Sequence, residues 1–269
     1  MIKRWIDRTF KEDLFLLISQ FRLVQKLLSL RMAEFKRNTG LRFASPYLSM
    51  LIHIVLLGGI MGAVFGEDFS TFLPYFGISF CVWQSLSIYI SESADINQIT
   101  RRYSNFPNIS GLMVGTVLLY QNMAFGIIRF LAVITALIFI NRPILMNANW
   151  IGAGLGYIEL VVLLFVWIVP CAYFFSVFRI VKGFLPQILL AINLVTPIFW
   201  PTGKLSGYSW VYLYNPVYHV IEIIRAPILQ GRFNLLSISV VGLLIVVGLI
   251  LSFVCYKRNK CQIVYDWVN

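Results

Sequence analysis

Charge is scarce in this sequence: only 12% of its 269 residues are Asp, Glu, Lys or Arg, against about a quarter in ordinary soluble domains. With 59% hydrophobic residues and a positive mean hydropathy, a water-soluble fold would have more apolar surface than its core could hide. Composition therefore places the chain in the membrane class. A phosphate-binding G-x-x-x-x-G-K-[ST] loop is missing, since Gly203-Lys204 is followed by Leu205. A nucleotide-driven machine would need ATP and Mg bound on another chain. Gly77-Ile78-Ser79-Phe80 lacks the second glycine of a serine nucleophile turn, and no spaced carboxylate cluster occurs, so no catalytic residue is assigned and the chain does not read as an enzyme. His53 has no second His or carboxylate at ligand spacing, which leaves a metal site without support. The cysteines, Cys81, Cys171, Cys255 and Cys261, fall outside outward loops, so a disulfide framework is not expected. Internal repeats and low-complexity tracts are lacking too. Lys3 and Arg4 mimic a signal peptide, but Glu12 and Asp13 interrupt it, so the N-terminus reads as retained.

What is present is a series of apolar runs at 43–65, 72–90, 112–140, 151–175, 184–200 and 236–256. Crossing ~30 Å of hydrocarbon takes about 20 apolar residues in a helix, so the expected fold is all-α with six transmembrane helices. Breakers fall between the runs at Gly66-Glu67-Asp68, Pro107, Asn141-Arg142-Pro143, Gly183 and Pro201-Thr202-Gly203. Lys3, Arg4, Arg8, Lys11, Arg22, Lys26, Arg31, Lys36, Arg37 and Arg42 precede the first run, and Arg101, Arg102, Arg179, Lys182, Lys257, Arg258 and Lys260 flank later ones on the same side. The opposite side receives only Arg142, Lys204, Arg225 and Arg232 with the acidic pair Glu67 and Asp68. The asymmetry predicts cytoplasmic termini. The formal charge of +11 then forms a rim against anionic headgroups, with a nucleic-acid partner the weaker reading.

The expected organisation is an amphipathic interface helix in 1–42, a transmembrane domain over 43–256 and a cytoplasmic tail at 257–269. In the first part Leu14, Leu17, Phe21, Val24, Leu28 and Phe35 recur at helical spacing, with Lys11, Arg22, Gln25, Lys26, Ser29 and Lys36 off the stripe. A soluble coiled-coil arm is the alternative. The polar cytoplasmic loop 91–110, with Glu92, Asp95, Arg101 and Arg102, either forms a short docking helix or is a plain connector. Outside, in 201–235, Asn215 can cap a helix that begins at Pro216, Pro227 can bend it and Gly231 can end it. His219, Glu222 and Arg225 share one of its faces at three-residue spacing. An outward loop holding an apolar helix is expected to dip back into the membrane.

Two charges lie inside runs. Arg129 and Glu159 sit roughly 16 Å and 12 Å from the outer ends of consecutive antiparallel helices at 1.5 Å per residue. They are expected either to pair or to line a polar pathway, because an unpaired charge in hydrocarbon is costly. Gly152, Gly154 and Gly156 contain a small-x-x-x-small spacing that permits close helix approach.

With those residues in view, the chain resembles the membrane subunit of bacterial polysaccharide ABC exporters, a group that moves lipid-linked O-antigen, capsule or teichoic-acid polymers. Asn215-Pro-Val-Tyr-His-Val-Ile-Glu-Ile-Ile-Arg225 is similar to the family's NP-x-x-H-x-x-E-x-x-R segment. Thr196-Pro-Ile-Phe-Trp-Pro201 resembles the loop before it, and Phe106-Pro107 the end of the first cytoplasmic loop. The chain departs from the family at Phe35-Lys-Arg-Asn-Thr-Gly40, where an Arg-Tyr…Leu-Gly motif is usual, and at Arg179-Ile180, where an Arg-Asp pair is.

The resemblance implies a homodimer of six-helix subunits in the bacterial inner membrane, carried on two copies of a separate ATPase. Glu92, Asp95, Arg101 and Arg102 would receive the ATPase's movement, together with the N-terminal helix. Asn215, Pro216, His219, Glu222 and Arg225 would belong to a periplasmic re-entrant gate helix. An undecaprenyl-pyrophosphate-linked glycan, O-antigen first among the alternatives, would pass between the subunits. Apolar sugar faces rest on aromatic rings, which singles out Trp83, Tyr89, Trp200 and Tyr214 as channel candidates beside Arg129 and Glu159. Lys36, Arg37 and Arg42 are placed to pair with the pyrophosphate. A permease for capsule, teichoic acid, another lipid or a drug is the alternative within the class. A secondary carrier is disfavoured by the lack of inverted halves.

Overall fold

The computed structural model describes residues 10–41, 43–103, 106 and 109–265, and the side chains of 204–206 and 258–265 lie outside that description. Among the described residues every regular element is helical.

The chain begins with an arm of two helices, α1 (Phe10–Ser19) and α2 (Phe21–Asn38). The single stripe expected from the sequence is broken, because Gln20 leaves the helical region at φ −108° and ψ 31°. That break turns Phe21 outward, whereas Val24 is buried and Leu14, Leu17, Leu28 and Phe35 are half-buried. The inward face rests on protein. Phe10 meets Phe253 and Tyr256 edge-on at 5.1 and 5.4 Å, and the Tyr256 hydroxyl donates to Asp13 at 2.7 Å. Further along, Arg31 Nε donates to Gln121 at 2.7 Å and Phe35 packs on Phe125 at 4.4 Å.

Among the described residues four helices are long and apolar enough to cross a membrane: α3 (Ala44–Phe65), α4 (Phe69–Ser93), α6 (Gly111–Ile140) and the Leu235–Lys257 stretch of α14 (Leu235–Tyr265). A fifth span is made if α8 (Trp150–Val166) and α9 (Ile168–Val177), bent by 40° about Trp167, count as one. Short helices join them: α5 (Ile96–Arg102), α7 (Arg142–Asn147), α10 (Arg179–Gly183), α11 (Leu185–Val195), α12 (Trp210–Leu213) and α13 (Pro216–Gln230). The 91–110 loop therefore carries a helix, and α14 continues without a break through much of the expected tail.

Burial identifies the hub. In its most apolar stretch α4 is 72% buried, against 22% for α3 and for α14, so α4 is wrapped by protein while the other two present most of their surface outward. The hub packs on α3, α6 and α13. Opposite it, α8 approaches α13 so closely that a Cβ on Gly156 would lie 2.3 Å from the Ile223 carbonyl oxygen. Gly152 shares that contact face, against Pro227 and Phe233, whereas Gly154 has open space beside it. The glycine spacing noted in the sequence thus marks a real close approach, at positions 152 and 156.

The run 184–200 makes less helix than its hydropathy promised. Only the 11 residues of α11 are helical, about 16 Å, too short to cross on their own. Thr196 turns extended at φ −79° and ψ 137° because Pro197 follows it, and a proline disfavours helical backbone in the residue before it. What remains of the run folds into the 196–200 corner. α11 rests on α4 and α10, leaving Ile188, Leu190, Leu194 and Val195 exposed.

Candidate functional site

The residues singled out between 215 and 231 fold into one helix with both ends satisfied. Asn215 Oδ1 accepts the Val217 N–H at 2.9 Å, Pro216 occupies the first turn, where its missing donor costs nothing, and Gly231 ends the helix at φ +66°. The Asn215 side-chain amide also donates to Thr196 Oγ1 at 2.9 Å, tying the start of α13 to the 196–200 corner. Pro227 lies within the helix, and its carbonyl accepts the Asn149 N–H at 2.9 Å from the start of α8.

The polar face of α13 is buried and fully engaged. The His219 ring lies between Leu213 O, 2.8 Å from Nε2, and Ser237 Oγ, 3.0 Å from Nδ1. A carbonyl only accepts, so Nε2 carries the hydrogen toward Leu213. Arg225 closes on Glu222 through Nε at 2.8 Å and Nη2 at 2.6 Å, both to Oε2. Its Nη1 donates to Ser79 Oγ of α4 at 2.9 Å and to Pro197 O at 3.0 Å. The guanidinium lies 4.3 Å from the Tyr75 ring centre and 5.5 Å from that of Tyr218, near enough for the ring faces to share its charge. The Tyr75 hydroxyl in turn donates to Pro197 O at 2.8 Å. The cluster bolts α13 to the hub helix and to the corner, with no exposed nucleophile or base.

Arg129 does not pair with Glu159. Its Nη2 donates to Ser85 Oγ and Asn122 Oδ1, both at 3.0 Å, while Asn122 Nδ2 donates to Ser85 O at 2.7 Å. The reason is rotational. Tyr157 is the residue of α8 turned toward α6, its hydroxyl donating to Met123 O at 3.0 Å, and Glu159 lies about 200° further round the helix. Glu159 is half-buried elsewhere. The pairing expected from matched depths is thus replaced by a polar seam between α4 and α6, in which Arg129 Nε is buried without a partner.

A mostly apolar groove of about 440 Å³ lies between α4 and α11. Trp83, Ser87, Ser91 and Glu92 line it from α4, and Leu189 and Asn193 from α11. Glu92 Oε2 and Asn193 Oδ1 are both buried without a hydrogen-bond partner.

The channel candidates separate. Trp83, though only 5% exposed, lines the groove, whereas Tyr89 does not: its hydroxyl donates to Leu164 O at 2.5 Å inside the protein. Six residues from Trp83 is 240° around a helix, which turns Tyr89 toward α8. Trp200 is half-buried, with its indole N–H donating to Leu194 O at 3.0 Å, and Tyr214 is 85% exposed. Asp95 is ion-paired to Lys182, and Asn97 donates to Ala172 O at 2.8 Å, so α5 is tied to α9 and α10. Arg101 and Arg102 are exposed at the end of α5. Lys36 and Arg37 are exposed at the end of α2, while Arg42 and Pro107 lie outside the described residues. His53 Nδ1 sits 2.6 Å from Ser49 O, and its ring stacks on Phe80. No group of three or more metal-ligating side chains occurs among the described residues.

Sequence reasoning missed Tyr75, Ser79, Ser85, Asn122 and Asn193. The available signal was the uncharged polar residue inside an apolar run. Such residues are cheap enough in a helix interior to be common, and pairing across helices is what distinguishes these. Comparison with protein-family models and with curated proteins finds no match to this chain.

Proposed function

We propose that this chain is the channel-forming membrane subunit of an ATP-driven exporter for undecaprenyl-pyrophosphate-linked polysaccharide, lipopolysaccharide O-antigen being the foremost cargo. The observation that carries the reading is α13. The segment behind the family resemblance, Asn215 to Arg225, folds as one capped helix of 15 residues, and its Asn, His, Glu and Arg side chains all bond to other residues. A helix about 22 Å long is shorter than the hydrocarbon layer, and one held by α4, α8 and α14 on polar side chains suits a re-entrant gate.

In this reading the protein has six crossings, with α11 and the 196–200 corner forming the fifth and α8–α9 the fourth. The arm, α5 and the end of α14 beyond its membrane-crossing stretch lie on the cytoplasmic side of a bacterial inner membrane, where their basic residues favour anionic lipid. The partners are a second copy of the chain and two copies of a nucleotide-binding ATPase, which supplies ATP and Mg. Lys36, Arg37 and Arg42 meet the carrier pyrophosphate, and Arg101 and Arg102 meet the ATPase. The α4–α11 groove supports a translocation role, since a groove on one subunit becomes a passage when a second copy faces it.

Disruption of the gene tests the proposal. Lipid-linked glycan is expected to accumulate on the cytoplasmic side and to disappear from the surface. Normal surface glycan with no cytoplasmic accumulation would remove the exporter reading.

A further inference from the structure

α8 and α9 part where their own sequence cannot complete a helix. Pro170 has no N–H, so Val166 O, four residues earlier, has no helical donor, and the proline ring pushes that carbonyl aside. Side chains of other helices serve the break instead. The Ser252 hydroxyl of α14 donates to Val166 O at 2.8 Å, and the Tyr89 hydroxyl of the hub donates to Leu164 O at 2.5 Å. Trp167 is pinned to α14: its indole N–H donates to Leu244 O at 3.1 Å, in a slot where a Cβ on Gly248 would lie 2.6 Å from the indole nitrogen. The two sides of the break are held by different helices. Before it, α8 is locked on α13 by the close approach at Gly156. After it, α9 and α10 are tied to α5, through Asn97 Nδ2 donating to Ala172 O at 2.8 Å and through the Lys182–Asp95 ion pair. Gly115 of α6 is a notch that takes one apolar side chain from each of α9 and α5, since a Cβ there would lie 2.3 Å from Ile168 and 3.1 Å from Ile96.

We infer that α5, α9 and α10 form one lever that pivots about Trp167 while α8 stays fixed to α13 and α14, so that a load on the exposed end of α5 tilts α9 alone. The hinge rests on the bonding around Val166 and Leu164. Its use rests on the exporter reading, which places the load at Arg101 and Arg102. A swing at Val166 breaks no backbone hydrogen bond to residue 170, because none can form there. The Ser252 hydroxyl can follow the moving carbonyl or turn back to Gly248 O in its own helix, as serines inside helices do. α9 also rests on α14, and the swing is a shear along that contact. A continuous helix through 166–170 would instead carry the load on into α8 and the α13 cluster.

Double electron–electron resonance on the full-length chain in nanodiscs tests the lever, with nitroxides carried on p-acetylphenylalanine so that the native cysteines stay in place. Leu155 of α8 is labelled in every sample and paired in turn with Ile180 of α10, Gln98 of α5 and Ile250 of α14, all of them exposed. The distance distributions to Ile180 and Gln98 are expected to be roughly twice as wide as that to Ile250, or wider, because only the first two cross the hinge. Pro170→Ala supplies the missing N–H and should narrow both to the width of the Ile250 pair. Asn97→Ala with Lys182→Ala cuts the lever and should narrow the Gln98 pair alone. In SDS unfolding, Ser252→Ala should lower the folding equilibrium constant about five- to tenfold, the loss expected for one hydrogen bond, and should be nearly silent once Pro170→Ala is present. Distributions to Ile180 and Gln98 no wider than that to Ile250 would overturn the lever from the wild type alone, even where a variant does not fold. Widths indifferent to Pro170→Ala, or a Gln98 pair unmoved by cutting the ties, would overturn it as well. The exporter reading is judged separately, by gene disruption. Glycan accumulation alongside equal widths sinks only the lever, and wide distributions without accumulation sink the exporter.

Discussion

Removing Arg225 alone should be far more damaging than removing Arg225 and Glu222 together. Both side chains are about 95% buried, and the closest contact between them is 2.6 Å. At an effective dielectric constant of 20 their attraction is about 6 kcal/mol, most of it offset by the cost of taking both charges out of water. Arg225→Met leaves the Glu222 carboxylate buried without its cation, which should cost about 3–5 kcal/mol. The double change Glu222→Leu with Arg225→Met leaves little unpaired. Pro197 O still receives the Tyr75 hydroxyl at 2.8 Å, and Ser79 Oγ still donates to Tyr75 O at 2.6 Å. The double variant should therefore lie within about 1–2 kcal/mol of the wild type. Reversible unfolding of the purified chain in mixed micelles, titrated with SDS and followed by far-UV circular dichroism, measures the difference. A double variant as unstable as Arg225→Met would show that the arginine acts through something other than its ion pair, and the clamp reasoning would fail.

The same unfolding assay should separate two neighbouring glycines. Gly156→Ala pushes a methyl toward the Ile223 backbone, which cannot move aside like a flexible side chain, and should cost about 1–3 kcal/mol, whereas Gly154→Ala should be neutral or slightly stabilising; equal effects would refute the close approach. Swapping the charges, Arg129→Glu with Glu159→Arg, should be no better than Arg129→Glu alone, because Arg129 binds Ser85 and Asn122; rescue by the swap, read as assembled protein in the membrane, would restore direct pairing. Replacing Lys36, Arg37 and Arg42 with Ala should abolish stimulation of the partner ATPase by lipid-linked substrate while leaving basal hydrolysis unchanged; undiminished stimulation would refute a pyrophosphate-binding role.

The membrane class, the positions of most helices and the limits of α13 were legible in the sequence because each rests on a local rule. Hydropathy over a window reports a long apolar helix, and Asn215-Pro216 and Gly231 announce the ends of a helix through the backbone geometry they supply. Charges inside apolar runs were equally visible, so Arg129 and Glu159 were flagged without coordinates, and three-residue spacing put His219, Glu222 and Arg225 on one face of α13. Their partners were not. Depth along a helix comes from counting, but facing depends on rotation about the axis, and this is why matched depths suggested Glu159 for a guanidinium that instead meets Asn122 and Ser85. The same ambiguity placed Tyr89 among channel residues when it points into α8.

By itself the sequence determined that this protein is built from apolar helices with a basic arm at one end, since composition and periodicity act residue by residue. Tertiary structure alone decided that α4 is the hub, that the arm breaks at Gln20 to dock on α6 and α14, and that Glu92 and Asn193 meet across one groove. Those outcomes depend on which helix faces cross and at what angle, a property of pairs of segments far apart in the chain that no local window contains.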